Sequence, residues 1–388
     1  MDFLPSEAAE RFRAEVRELL ADVFTDAVRE EVHETGTIHS WPLHRAIGER
    51  GWIAQALPEA QGGGGRDPEE LAALFAELER AGAPYDGLSN VVMVSSVLAH
   101  VGNDMIRAEV LPRLLSGEAM VCLGYTEPDS GSDVAAARTR AVHEGDGWRI
   151  DGQKMFTSVA EEADWIFLLT RTSGEGPKHA GLTFFLVPMD TPGISLQAVR
   201  TLPGKRVNVT FLDGVRVGDE WRVGAVDGGW QVMLVALSFE RGLAGGVRDA
   251  ERLLRVTEEF ARRVPPEGGG PPIRDPVVRE RLVRLAIDTE VADLLAGRAA
   301  WVAASGRLPG TEGAAARLFA SESFTRAASW AIDLAGAEGL VQSPERGGRI
   351  DGFFEHCYRL APGTTLAGGT SEIQRNLIAQ RGLGLPRT

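Results

Sequence analysis

Apolar positions along the chain change period twice, and the changes divide it into three zones. In the first zone, up to residue 118, Phe12, Val16, Leu19 and Leu20 recur at helical spacing, as do Leu71, Leu74, Phe75 and Leu78. The run Gln61-Gly62-Gly63-Gly64-Gly65 breaks the two stretches. It reads first as a loop, and only weakly as a phosphate cradle, because no Lys-Ser/Thr follows it. Between 119 and 226 the period shortens. Trp148-Arg149-Ile150-Asp151 and Val207-Asn208-Val209-Thr210-Phe211 alternate, and Trp165–Leu169 and Leu182–Val187 are short apolar runs between Gly, Pro and Asp. That pattern predicts strands. From 227 to 388 the helical period returns. It predicts one long segment over Trp230–Arg263, others over Pro276–Ser305 and Glu312–Ala335, and a last helix starting near Thr370. Pro265-Pro266-Glu267-Gly268-Gly269-Gly270-Pro271-Pro272 is a loop by composition. The fold class is therefore α+β: an N-terminal helical domain (1–118), a middle β-domain (119–226) and a C-terminal helical bundle (227–388). Without βαβ alternation, and with no G-x-G-x-x-G after a strand, a dinucleotide-binding parallel sheet is disfavoured.

Composition narrows the classes. A length of 388 residues allows two or three domains, and the net charge of −14 excludes a general nucleic-acid binder. The longest uncharged run, Gly87–Asn103, is too short and too polar to cross a bilayer. With no secretory signal and only two cysteines, Cys122 and Cys357, a cytoplasmic protein without a disulfide framework is expected. The three lysines (154, 178 and 205) read as compositional bias towards Arg. The seven histidines show no metal-ligand spacing, and there is neither an H-E-x-x-H nor a G-x-S-x-G motif.

Four segments could carry chemistry. Leu123-Gly124-Tyr125-Thr126-Glu127-Pro128-Asp129-Ser130-Gly131-Ser132-Asp133 offers hydroxyl and backbone donors in one irregular stretch, suited to a ligand rich in acceptors; by composition alone it is an ordinary polar turn. Lys154-Met155-Phe156-Thr157-Ser158 sets an aromatic beside two hydroxyls, which could hold a flat heteroaromatic ring, although a core Phe is the simpler reading. Gly228-Gly229-Trp230 leads into a helix whose stripe Met233, Leu237, Ala244 and Val247 includes Glu240. A carboxylate on an apolar stripe is either paired with a cation from another helix or desolvated into a general base; periodicity leaves the two equal. Finally, Gly368-Gly369-Thr370-Ser371-Glu372-Ile373-Gln374-Arg375 has capping-box spacing between Ser371 and Gln374, and so reads as a well-capped helix start or an anion site.

Together and in this order the segments resemble the acyl-CoA dehydrogenase family. Thr126-Glu127-Pro128-x-x-Gly131-Ser132-Asp133, Gly229-Trp230 followed by Glu240-Arg241, and Gly369-Thr370-Ser371-Glu372-Ile373-Gln374-Arg375-Asn376 are specific to it, and the likeness extends to Leu57-Pro58. The resemblance implies helical, β-barrel-like and four-helix-bundle domains. It implies FAD between the β-domain and the bundle, an acyl-CoA thioester substrate, and electron-transfer flavoprotein as acceptor. It also implies oligomers, either homo-oligomers or hetero-tetramers with a related chain. By position, Thr126 is expected at the pyrimidine side of the flavin, Phe156 against the ring, Ser158 near N5, Thr157 at the cofactor, and Leu123 and Tyr125 along the flavin or acyl site. Gly131 and Ser132 are expected at the cofactor, Ser132 also at CoA, and Gly369, Thr370 and Glu372 near the pyrophosphate. Leu237, Arg241 and Gly368 are expected at the substrate.

Many members place their base just before the Gly-Thr-Ser of the last helix, where this chain has Gly368. A subset, including isovaleryl-CoA and long-chain enzymes, uses a Glu in the Glu-Arg segment, which assigns the base to Glu240. Two departures concern the FAD contacts made across the subunit interface. The family's Arg-x-x-Phe-Gly is replaced by the Pro/Gly run after Val264, and its later Gln by Asp333-Leu334-Ala335-Gly336-Ala337. These point to a chain that shares its FAD site with a different partner chain. Other readings of the same fold are oxidation of a carrier-protein-bound acyl group, a monooxygenase, and a non-catalytic partner subunit.

Overall fold

The computed structural model describes residues 6–61, 63–65, 68–242, 247–264, 270–304, 311–342 and 352–386. Gly62, Ala244 and most of the Pro/Gly run (265–269) lie outside them, as do the side chains of Glu240, Arg241 and Val247. The chain divides into two compact units.

The first unit comprises 7–74 and 83–243. It begins with α1 (Glu7–Val23), α2 (Asp26–Thr35) and α3 (Trp41–Glu49). The apolar stripe of α1 is buried at Phe12, Val16, Leu19 and Leu20, as its period requires. Helix α4 (Pro68–Ala81) runs from this unit into the second, and α5 (Asp86–Val101) and α6 (Leu111–Leu115) follow. The uncharged Gly87–Asn103 run becomes α5, a core helix buried almost all round from Val91 to Ala99. Among the described residues no helix is long and apolar enough to cross a membrane.

Eight strands form one sheet: β1 (Val121–Gly124), β2 (Arg140–Glu144), β3 (Gly147–Thr157), β4 (Trp165–Arg171), β5 (Leu182–Pro188), β6 (Ile194–Arg200), β7 (Arg206–Gly218) and β8 (Arg222–Val223). The order is β6-β7-β3-β2-β4-β5-β8, with β1 added parallel to β4. Strands β4 and β5 are buried on both faces, from Trp165 to Thr170 and from Leu182 to Val187, which explains their continuous apolar runs. Strand β6 alternates and is largely exposed. Helix α7 (Gly229–Gly242) closes the unit and packs on α5 and β5.

The second unit holds the end of α4 with α8 (Val247–Arg262), α9 (Pro276–Ala304), α10 (Glu312–Ala335), α11 (Phe353–Thr364) and α12 (Ser371–Leu377). The segment expected over Trp230–Arg263 is thus two helices, and α11, with Pro362 inside it, was not anticipated. Ala327, Ala328 and Ala331 of α10 pack with Leu253, Leu285, Phe324, Phe354 and Cys357. Small side chains there let neighbouring helices approach closely. Both cysteines are free and buried.

Candidate active site

Strand β1 ends at Gly124, where a Cβ would lie 2.7 Å from the tip of the Ile166 side chain, so a larger residue would force that side chain to shift. The chain then folds into a tight turn. Glu127 and Ser130 exchange backbone hydrogen bonds, N–H to C=O at 3.0 and 3.1 Å, around Pro128-Asp129. The Glu127 carboxylate turns inwards. It accepts from the backbone N–H groups of Arg138 (2.6 Å) and Thr139 (2.9 Å) and from the Lys154 ammonium (2.7 Å). Lys154 is fully buried on β3 and also donates to the Tyr125 carbonyl at 3.3 Å. Burial pulls Lys154 down to about 8, opposed by Glu127, and the pair is charged at neutral pH. Burial would raise Glu127, but Lys154 and the donated hydrogen bonds outweigh it and hold the carboxyl below its ordinary range. Sequence reasoning missed this pair. The signal was present: Lys154 continues the register of buried Trp148 and Ile150 on β3.

Two residues later β3 bulges. Lys154 pairs with Thr210, but the next pair is Thr157 with Asn208, so three steps on β3 oppose two on β7. Phe156 occupies the bulge at φ +56° and is 58% exposed. The Met155 N–H donates to the Thr126 carbonyl at 2.8 Å, tying the bulge to the turn. Thr126, Phe156 and half-buried Ser158 are thereby brought to one locality, with Gly131 and Ser132 exposed beyond the turn. Thr157 goes the other way. It is fully buried, with its hydroxyl 3.1 Å from that of Thr210, so its side chain is committed to the core. Tyr125 packs edge-on against Phe167 and Phe184, and Leu123 is half-buried. Val159 also has φ +56°, so among the described residues two of the three non-glycine positions at positive φ lie on either side of Ser158. Strain of this kind gathers at ligand sites.

Gly229 opens α7 against β5, where a Cβ would sit 2.7 Å from the Leu182 backbone. Trp230 lies 5.4 Å from the His179 ring. Val232, Met233 and Ala236 are buried and Leu237 is half-buried. Glu240 and Arg241 fall on the last turn of α7.

In the second unit, Gly368 and Gly369 adopt φ +63° and +97°, a region that L side chains rarely occupy. The capping box expected between Ser371 and Gln374 is corrected by one residue. Thr370 is the N-cap, its hydroxyl accepting from the Ile373 N–H at 3.3 Å. The Gln374 amide reaches back to the carbonyls of Gly368 (3.3 Å) and Gly369 (3.1 Å) rather than to an N–H. The box fails because Ser371 is already helical; a cap must have extended backbone, as Thr370 does. Arg375 bonds Glu322 of α10, and Arg317 bonds the Ala367 carbonyl. A backbone N–H and the Thr370 side chain hold the exposed Glu372 carboxyl below its ordinary range. Asp333 is exposed near the end of α10.

Residues 6–118, 122–223 and 227–383 match, respectively, the N-terminal, middle and C-terminal domains of acyl-CoA dehydrogenase. The chain belongs to the acyl-CoA dehydrogenase family. It is 30% identical over 391 residues to the acyl-CoA dehydrogenase FadE26 of Mycobacterium tuberculosis, covering 97% of each chain. Two solved structures are similar over the whole of both chains: the Tcur3481-Tcur3483 steroid acyl-CoA dehydrogenase (TM-score 0.90, 32% identity) and the ChsE4-ChsE5 complex of M. tuberculosis (TM-score 0.91, 29%). Members are FAD-dependent oxidoreductases of acyl-CoA thioesters. The residues present suit a flavin ring: an aromatic face displayed by a bulge, beside a turn carrying the Thr126 hydroxyl and exposed backbone.

Proposed function

We propose that the chain catalyses α,β-dehydrogenation of an acyl-CoA thioester with Glu240 as the base. The carrying observation is the pairing of two positions. Gly368, where many relatives hold their base, has no side chain and a backbone at φ +63°. Glu240 stands on α7 one turn beyond the buried Ala236. A carboxylate at that position, if desolvated, would be raised towards the range a general base needs. In this reading Glu240 takes the α-proton, and donors around the thioester oxygen stabilise the developing negative charge. Phe156 and Thr126 hold and orient the flavin, Ser158 sits at its edge, and Ser132 meets CoA. FAD held by these residues would supply the acceptor for the β-hydride. Electron-transfer flavoprotein is the acceptor we assign.

The same reading makes the chain one half of a two-chain enzyme. What supports it is the Pro/Gly composition after Val264 together with the paired chains, Tcur3481-Tcur3483 and ChsE4-ChsE5, of the two related structures. The steroid dehydrogenase among them makes polycyclic acyl-CoA esters the first substrates to try.

The test is flavin bleaching by a panel of acyl-CoAs, with the chain purified alone and together with a related partner. We expect bleaching only with the partner present. Glu240→Gln should lower the bleaching rate at least a hundredfold, on the order of general-base catalysis, and leave flavin content unchanged. A Glu240→Gln variant that bleached normally would remove the assigned base. One tightly bound FAD per chain in a homo-oligomer would remove the two-chain reading.

A further inference from the structure

Three consecutive residues of the turn after β1 are held by two consecutive residues of β3. The Lys154 ammonium donates to the Tyr125 carbonyl at 3.3 Å and to the Glu127 carboxylate at 2.7 Å. Between them, the Thr126 carbonyl accepts from the Met155 N–H at 2.8 Å. This brace grips both flanks of Thr126 and leaves its donors alone. Among the described residues, neither the Thr126 N–H nor its hydroxyl bonds another residue.

The brace is not the simplest way to fill the space. Lys154 is fully buried. Taking an ammonium and a carboxylate out of water is costly, and an apolar pair of similar volume is often as stable or more so. What apolar side chains lack is direction, because they make no bonds with a preferred angle and length. Glu127 is also fixed from its other side by the N–H groups of Arg138 (2.6 Å) and Thr139 (2.9 Å), so the brace is tied to a third segment and cannot swing with the turn. The bulge completes the device. The register between β3 and β7 slips between Lys154 and Thr157, and Met155 sends its N–H to the turn instead of to β7. The slip that sets Phe156 outside the sheet thus supplies the bond that holds Thr126.

We propose that Lys154 is a positioning residue for the flavin, fixing the Tyr125–Glu127 backbone so that the Thr126 donors stand in a set relation to Phe156. Being fully buried, Lys154 acts through Thr126 rather than on the ligand. Donors oriented in advance bind a ligand without a further ordering cost. The proposal rests on the reading that Thr126 and Phe156 hold the flavin, and is independent of Glu240.

The experiment separates positioning from stability. Lys154→Met leaves a buried carboxylate unpaired, whereas Lys154→Met/Glu127→Gln removes the brace and both charges together. The double variant should recover about half or more of the stability that the single one loses, because no buried charge is left alone. Neither should recover the flavin site. In the assembled enzyme both should raise the FAD dissociation constant about tenfold or more, the scale of one or two oriented hydrogen bonds. At saturating FAD both should alter the visible circular dichroism of the bound flavin, which reports its orientation. Val16→Ala, a cavity in the buried face of α1, is the control: it lowers stability and should change neither readout. Should one Lys154 variant fail to fold, the other carries the comparison with the control. Parental affinity and unaltered dichroism in the double variant would overturn the proposal, and so would affinity that simply follows stability across all the variants. Phe156→Gly distinguishes the two ways to fail. FAD retained by that variant rejects the flavin site and the proposal with it; FAD lost there but kept by the double variant rejects only the role of Lys154.

Discussion

Two segments that carry family motifs are built on opposite plans. At the end of β3 a bulky residue, Phe156, is held at positive φ by surroundings that leave it no alternative. Lys154 anchors one side of the bulge through a buried ion pair, Thr157 anchors the other through Thr210 and Asn208, and Met155 is clamped to Thr126. Before α12 the chain reaches positive φ with Gly368 and Gly369, which resist little, and fixes it with a single hydroxyl cap and one amide. The first segment spends folding free energy to display an aromatic face. The second uses residues that cost little in that conformation and presents mainly backbone. The first should therefore be sensitive to the loss of buried partners, and the second to added side chains.

The largest effect is expected at the ion pair. Lys154→Met leaves Glu127 buried without its cation, and should lower stability by about 3–5 kcal/mol in chemical denaturation. The pH dependence has a definite sign. The Glu127 carboxyl is depressed in the folded state, so on acidification the unfolded chain takes up its proton first. The stabilisation is complete above the ordinary value of 4.5 and is lost as pH falls below it towards the folded value. Glu127→Gln should flatten that part of the curve. If Lys154→Met cost less than about 1 kcal/mol, the bulge would not depend on the pair.

How much of this contrast was legible in the sequence follows from its physics. The second plan is written in residue types: two glycines and a hydroxyl announce a turn and a cap, and the reading erred only by one residue in choosing Ser371 over Thr370. The first plan is a matter of register. That Phe156 lies outside the sheet and Thr157 inside depends on a one-residue slip between β3 and β7, which alternation along one strand cannot reveal. Lys154 was passed over as composition because the partner that makes its burial tolerable lies 27 residues away. Long periodic helices such as α10 were legible to their ends, whereas α11, interrupted by Pro362 and Gly363, was not.

Smaller effects test the second plan. Gly369→Ala forces a side chain to φ +97° and places its Cβ 2.8 Å from the Gln374 amide. A destabilisation of about 1–2 kcal/mol is expected, most of it from the backbone. Thr370→Ala removes only the cap and should cost about 1 kcal/mol. Were the two variants to rank in the reverse order, the hydroxyl would be the main fixture and the glycines secondary.

The smallest effect on stability, and the sharpest test of the contrast, is Phe156→Gly. Glycine removes the steric penalty at φ +56°, worth about 1 kcal/mol, while the loss of the partly buried ring costs a similar amount. The unfolding free energy should therefore stay within about 1 kcal/mol of the parent. Flavin retention should not: with the aromatic face gone, the assembled enzyme should release its flavin on dilution, seen as recovered free-flavin fluorescence. A structural role for Phe156 predicts the opposite pairing, a large loss of stability with flavin retained. Strain that is relieved at no cost in stability but with loss of the ligand is strain kept for binding.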